Sequence, residues 1–231
     1  MKLFVAPRAP NPRRVLMFIA EKGLVVAPTP AASPPQGGEA GSGRPGAGPA
    51  AIELVNVDLN AGEHRAEAFR ARSPLAKVPA LELDDGRVLG ESRAICTWIE
   101  GIAPEPNLMG RDFDERAFIE MADRRVELYL MFGFALAIRH THPGLAPLEQ
   151  PQFPEFGRSQ GEKVRGVARW LDAELARHPF VAGERFTIAD ITAFCAIEFA
   201  RGLLKFRPAD EGMPHLQAWR DRIAERPSAK V

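Results

Sequence analysis

The sequence predicts an α/β domain over residues 1–101 and an all-helical domain over residues 112–231, with a linker at 102–111 between them. Three observations carry that division. Short strand-type apolar runs occur only before residue 90, and they alternate with helix-period stretches in the order β-α-β-α-β-β-α. Every periodic segment after residue 111 repeats at helical spacing. Between the halves stand Pro104, Pro106 and Gly110, residues that punctuate regular structure. A chain of 231 residues suits one large domain or two modest ones, and 45% apolar content is enough for buried cores.

Lys2, Leu3, Phe4 and Val5 form the first predicted strand. A helix over 12–22 follows, with Val15, Leu16, Phe18 and Ile19 at helical spacing and Gly23 as its stop. Residues 27–50 hold six Pro and six Gly among Ala and Ser, without hydrophobic periodicity. Such an insert buries too little apolar surface to offset its ordering entropy, so disorder is expected there. Ile52 to Val57 alternate as a second strand, 65–71 form a short helix, and 78–89 a hairpin that turns at Asp84-Asp85-Gly86. A helix over 92–101 closes the domain. The second half carries helices over 112–139, 155–177, 187–205 and 214–225. Thr187 and Asp190 form a capping box at the start of the third, and Phe186 staples onto Ile191. Trp98, Trp170 and Trp219 lie in amphipathic stretches and are assigned to the core.

Composition narrows the function classes. Lys plus Arg equals Asp plus Glu at 30 each, so no basic excess holds nucleic acid or anionic lipid. Cys96 and Cys195 lie far apart and form no CxxC, which fits a reducing compartment. The first residues are too short for the apolar core of a signal peptide, and cytoplasm is the expected address. The longest apolar run, residues 128–138, has 11 residues where a membrane span needs roughly 20. His140 and His142 are two apart on a helix and point to different faces, so no metal site is expected.

The chemistry gathers around Lys77-Val78-Pro79. Pro79 has no N–H and belongs at a strand edge or bulge, with a cis Val78–Pro79 bond expected. The main-chain polar atoms of Val78 can then pair with an extended peptide ligand. Gly90-Glu91-Ser92 opens the next helix, whose free backbone donors favour a carboxylate.

The stretch Lys77 to Ile95 resembles the glutathione-site half of the thioredoxin-like domain of cytosolic glutathione transferases. The likeness takes in residues 2–15 and the Phe186 to Ile191 capping segment, and leaves 27–50 outside. It implies glutathione as co-substrate, held by Val78 through its backbone, by Glu91 and Ser92 at the γ-glutamyl end and by Lys77 at the glycine carboxylate. It also implies a small hydrophobic electrophile, a detoxifying conjugation and a homodimer, to which the 112–139 helix contributes.

One departure from the family is plain. No Ser, Thr, Cys or Tyr precedes Thr29, and the single tyrosine is Tyr129, so the usual hydroxyl or thiol partner of the glutathione sulfur is absent. Lowering a thiol from about 8.5 by two units takes roughly 2.7 kcal/mol. Asn11, as cap of the first helix, with Pro12 at its first position, would leave N–H groups for the sulfur. Arg13 and Arg14 either join them or are solvated helix charges. Residues 139–143 are similar to a segment of an atypical bacterial and fungal subgroup in which a histidine-held water replaces the hydroxyl. His140 is then the candidate catalytic residue, or else it caps carbonyls at a helix end. A non-catalytic interaction module of the same fold, or a glutathione-dependent lyase or dehalogenase, remains the alternative.

Overall fold

The computed structural model describes residues 1–6, 9–28 and 51–231. Strands β1 (Lys2–Val5), β2 (Val26–Pro28), β3 (Ile52–Asn56), β4 (Ala80–Glu82) and β5 (Val88–Leu89) form one sheet in the order β2-β3-β1-β4-β5. β3 runs parallel to β1 and β4 antiparallel to it. Leu3, Phe4 and Val5 are all buried because both faces of this central strand are covered. Leu3 and Val5 join the main core, shared with Phe18 of α1 (Pro10–Glu21) and Ile95 of α3 (Ser92–Ile102). Phe4 points the other way and meets Phe69 of α2 (Glu67–Arg70) edge to face at 5.9 Å.

The sheet has one strand more than the sequence predicts. Val26, Ala27 and Pro28 pair with Ile52, Glu53 and Leu54, so residues 27 and 28 belong to a sheet edge and not to a disordered insert over 27–50. Three residues are too few to show alternation, and a proline is tolerated at an edge. The remainder of that expected insert, 29–50, lies outside the described residues.

The helical half begins with α4 (Phe113–Arg125), passes through a π-helical stretch at Val126–Met131 and continues as α5 (Phe132–Thr141), where one regular helix over 112–139 was expected. The wide turn sits where this rod meets α1. Arg14, fully buried, donates to Glu127 Oε1 at 2.6 Å and to Met131 Sδ at 3.1 Å. Such insertions cluster at functional sites and leave hydrophobic spacing almost unaltered, which hides them from a sequence reading.

α6 (Pro154–Leu175) packs closely on α5. A Cβ at Gly133 would lie 2.9 Å from Val164, and one at Gly157 2.7 Å from Thr141, so both glycines permit the approach. The core of the helical half is α7 (Ile188–Leu203), which starts with the expected capping box. Asp190 does more there than cap. It accepts from Val181 N–H and Trp219 Nε1–H, each at 3.0 Å, as well as from Thr187, and so ties α8 (Pro214–Ala224) to α7. Burial pushes its carboxyl up to about 6 against the pull of these donors. Trp219 is core as expected. Trp170 is not: it stands half in solvent at an open groove of about 520 Å³ with Arg125, Tyr129 and Lys163. Among the described residues, no helix is long and apolar enough to cross a membrane.

Candidate active site

The loop before β4 presents its backbone outward, and Ser73 is the reason. Ser73 Oγ accepts the Lys77 N–H at 3.0 Å and donates to the Lys77 carbonyl at 2.9 Å, closing a five-residue loop in which Ala76 takes a φ of +53°. With Lys77 satisfied from inside, the chain emerges at Val78. The Val78–Pro79 bond is cis and Pro79 is buried. Neither the N–H nor the carbonyl of Val78 has a hydrogen-bond partner among the described residues. A half-buried main chain with both groups unpaired suits an extended ligand. The Lys77 side chain is exposed beside it.

The second element is the start of α3. Glu91 sits at the N-cap with φ +59° and ψ 115°, a conformation that an L-residue adopts at a cost and that recurs at functional sites. Its side chain makes no capping bond. The N–H groups of Ser92, Arg93 and Ala94 have no acceptor among the described residues, so a carboxylate there meets aligned donors and the positive end of the helix. Glu91 itself offers an acid for an ammonium.

The third element is the start of α1, which corrects the assignment of Asn11. The helix begins at Pro10 with Ala9 as its cap, so Asn11 lies inside the first turn. Pro10 fits the first position because its fixed φ and missing N–H cost nothing there. Pro10 and Pro12 supply no N–H, and the Arg13 N–H goes to the Ala9 carbonyl at 3.2 Å. The expected set of free donors therefore shrinks to the Asn11 N–H. The Asn11 side chain adds another. Its Oδ1 is 3.4 Å from the Ser92 hydroxyl, which donates to it and turns the Nδ2 amide outward. That contact links the starts of α1 and α3.

Arg13 does not face this point. Its Nη2 donates to the Ala229 carbonyl at 2.9 Å and its guanidinium lies 5.2 Å from the Phe194 ring centroid. Arg14 is likewise committed to Glu127. Both arginines hold α1 to the helical half, because one turn into the helix their side chains leave on its inner side. The expected arginine beside the sulfur is thereby corrected.

His140 has a structural partner. It is buried at the end of α5, where Nδ1 accepts the Phe153 N–H at 3.2 Å and Nε2 lies 3.8 Å from Glu149 Oε1. Its ring packs edge-on against Phe156 at 5.1 Å. An imidazole whose Nδ1 accepts carries its proton on Nε2, so the ring can hold a water only as a donor through Nε2–H, with no lone pair left to take a proton. The histidine secures the loop between α5 and α6. The two cysteines are also unavailable as nucleophiles: both are buried, and burial pushes the Cys195 thiol up to about 12 and Cys96 higher still.

One residue of the site escaped the sequence reading. His64 is buried with Nδ1 unpartnered, and burial, then the charges of Arg65 and Lys77, push its pKa down. Its unpartnered Nδ1 is a buried polar atom free to meet a ligand. Its sequence signal is faint, a single histidine beside an arginine in the Glu63–Arg65 turn.

Comparison with known proteins gives this geometry a family. Residues 9–102 match the model for the glutathione S-transferase N-terminal domain, and 134–227 match that for the C-terminal domain. Glutathione S-transferase 2 of Saccharomyces cerevisiae is 31% identical over 231 residues, 100% of this chain and 88% of the relative. The chain belongs to the glutathione S-transferase family. Among solved structures, a glutathione S-transferase domain-containing protein of Marinobacter aquaeolei VT8 is 37% identical with a TM-score of 0.83, covering 99% of each chain. Gtt2 of S. cerevisiae is 30% identical with a TM-score of 0.84, covering 100% of this chain and 99% of that one. The protein is thus a glutathione transferase with a thioredoxin-like first half and a helical second half.

Proposed function

We propose that the protein conjugates reduced glutathione to a small hydrophobic electrophile, with the thiolate held at the start of α1. The unpaired main chain of Val78 carries this reading. It pairs with the cysteinyl unit, Glu91 takes the γ-glutamyl ammonium, the free backbone donors of α3, the Ser92 N–H among them, take its carboxylate, and Lys77 with His64 takes the glycine carboxylate. Each charge of the tripeptide then has a partner of opposite sign or a helix start. The sulfur falls beside Asn11, whose N–H and Nδ2 donate to the anion. Once the thiolate is formed and positioned, attack on a soft electrophile needs little further help. The reading places the enzyme in the cytoplasm, in detoxification, as a homodimer; Phe118 and Met121, exposed on α4, are the apolar surface that supports a dimer contact.

Calorimetric titration with glutathione, followed by turnover of a dinitrophenyl halide, tests it. Binding that weakens at least tenfold in Lys77→Ala and Glu91→Gln, with turnover in the native chain, is expected. Absence of glutathione binding sinks the reading, and binding without turnover leaves a non-catalytic glutathione module.

A further inference from the structure

Prolines on both sides leave Asn11 one freedom. Pro10 and Pro12 each lock their own φ, so the backbone at the start of α1 is stiff, and what can still turn is the Asn11 side chain. That side chain is exposed, and the terminal torsion of an asparagine amide is broad. Unrestrained, it would aim a donor at the sulfur for only part of the time. Among the described residues one hydrogen bond restrains it, the 3.4 Å contact between its Oδ1 and Ser92 Oγ.

Ser92 has the opposite surroundings. It is 5% exposed and belongs to the row Ser92, Ile95, Cys96 and Ile99, the buried face of α3 that packs on α1. Its hydroxyl therefore leaves the helix on the core side, whereas the free N–H groups of Ser92, Arg93 and Ala94 point out along the helix axis. Backbone and side chain of this residue serve different directions. Asn11 is the one hydrogen-bond partner of the hydroxyl among the described residues, and a hydroxyl has a single proton to give. Donated to Oδ1, that proton is not available to a ligand carboxylate.

We propose that Ser92 is a positioning residue for thiol ionisation: its hydroxyl holds the Asn11 amide with Nδ2 toward the sulfur and does not bind the tripeptide. The inference rests on the glutathione reading above and deepens it. The thiol proton leaves to solvent, and neither side chain takes it. What Ser92 supplies is a donor already in place when the charge forms, so the anion does not have to restrain the amide itself. The start of α3 then divides its work: Glu91 meets the ammonium, the backbone donors meet the carboxylate, and the Ser92 hydroxyl acts on the sulfur through Asn11.

Two titrations on the full chain test this. Thiolate absorbance across pH, with glutathione saturating, gives the pKa of the bound thiol in the native protein, Ser92→Ala, Asn11→Ala and the double variant. Ser92→Ala should raise it by about half to one unit, less than Asn11→Ala does, because the amide remains but is no longer held. The double variant should match Asn11→Ala, since without the amide there is nothing to hold. Calorimetry with S-methylglutathione, which has no thiol to ionise, should give Ser92→Ala the native affinity within about threefold. A native titration in Ser92→Ala, or a rise that adds to that of Asn11→Ala, overturns the proposal. A larger loss of S-methylglutathione affinity also overturns it, by setting the hydroxyl on the γ-glutamyl carboxylate. A curve that Asn11→Ala leaves unmoved overturns the reading beneath, the thiolate at the start of α1, and the role of Ser92 with it.

Discussion

Replacing Asn11 by alanine should raise the pKa of the bound glutathione thiol. In the proposed geometry the sulfur receives two donors at the start of α1, the Asn11 N–H and its Nδ2 amide, because Pro10 and Pro12 supply none and the Arg13 N–H is already bonded. Alanine keeps the backbone donor and removes the amide. A hydrogen bond to a charged group contributes about 1.5–3 kcal/mol. At 1.36 kcal/mol per unit, the thiol should rise by about 1–2 units. Asn11→Asp should raise it further, since a carboxylate then faces the anion. Asn11 is exposed, so the melting temperature should hardly move and the shift can be assigned to the site. Ultraviolet absorbance of the thiolate, followed across pH with glutathione saturating, reads the titration directly. An Asn11→Ala curve superimposed on the native one refutes the assignment. His140→Ala is the companion measurement: with its lone pair committed to Phe153 N–H, its loss should leave the curve in place, and a shift would reinstate the histidine-held water.

Ser73→Ala should weaken glutathione binding by about 5- to 30-fold, since the two bonds that hold Lys77 contribute about 1 kcal/mol each; calorimetry checks it, and an unchanged affinity would show that the loop keeps its shape without them. Asp190→Ala leaves buried donors on Val181, Thr187 and Trp219 unpaired and should cost about 3–5 kcal/mol in chemical denaturation. Burial alone would raise the Glu21 carboxyl, but its bonds to Arg226 at 2.7 Å and to Ser228 outweigh burial and hold it below its usual 4.5. A depressed acid stabilises the fold above its unfolded pKa and loses that contribution as pH falls through the folded one. The stability difference between the native chain and Glu21→Gln should therefore be full at neutral pH and shrink below about pH 4; a difference constant with pH would contradict the ion pair.

Much of the fold was legible because it is written in local spacing. The alternation of Ile52 to Val57, the Asp85-Gly86 turn and the Thr187–Asp190 box each act over a few residues, and each produces the element its pattern describes. What escaped depends on partners distant in sequence. The edge strand at Val26–Pro28 exists because Ile52 lies beside it. The π turn lies where Arg14, more than a hundred positions away, meets Glu127 and Met131. The site divides in the same manner. Lys77, Val78, Glu91 and Ser92 stand where their motif places them, since a proline edge and a helix start are local devices. Asn11 was found with the wrong role, because Pro10 moves the helix start by two residues. The bond that occupies the lone pair of His140 was not legible, because it comes from Phe153, across a loop with no regular pattern. His64 went unseen because only burial, which a sequence does not display, marks it out.

The guanidinium of Arg14 has consequences for the chain as a whole. It is rooted in the sheet-bearing half, yet its countercharge and its thioether neighbour both belong to the helical half. Separate either half from the other and a fully enclosed cation is stripped of its anion, while Met17 loses its contact with Cys195. The two domains of the family share this enclosed contact, so they should melt as one body, and a truncation at the linker should leave a fragment that loses its shape.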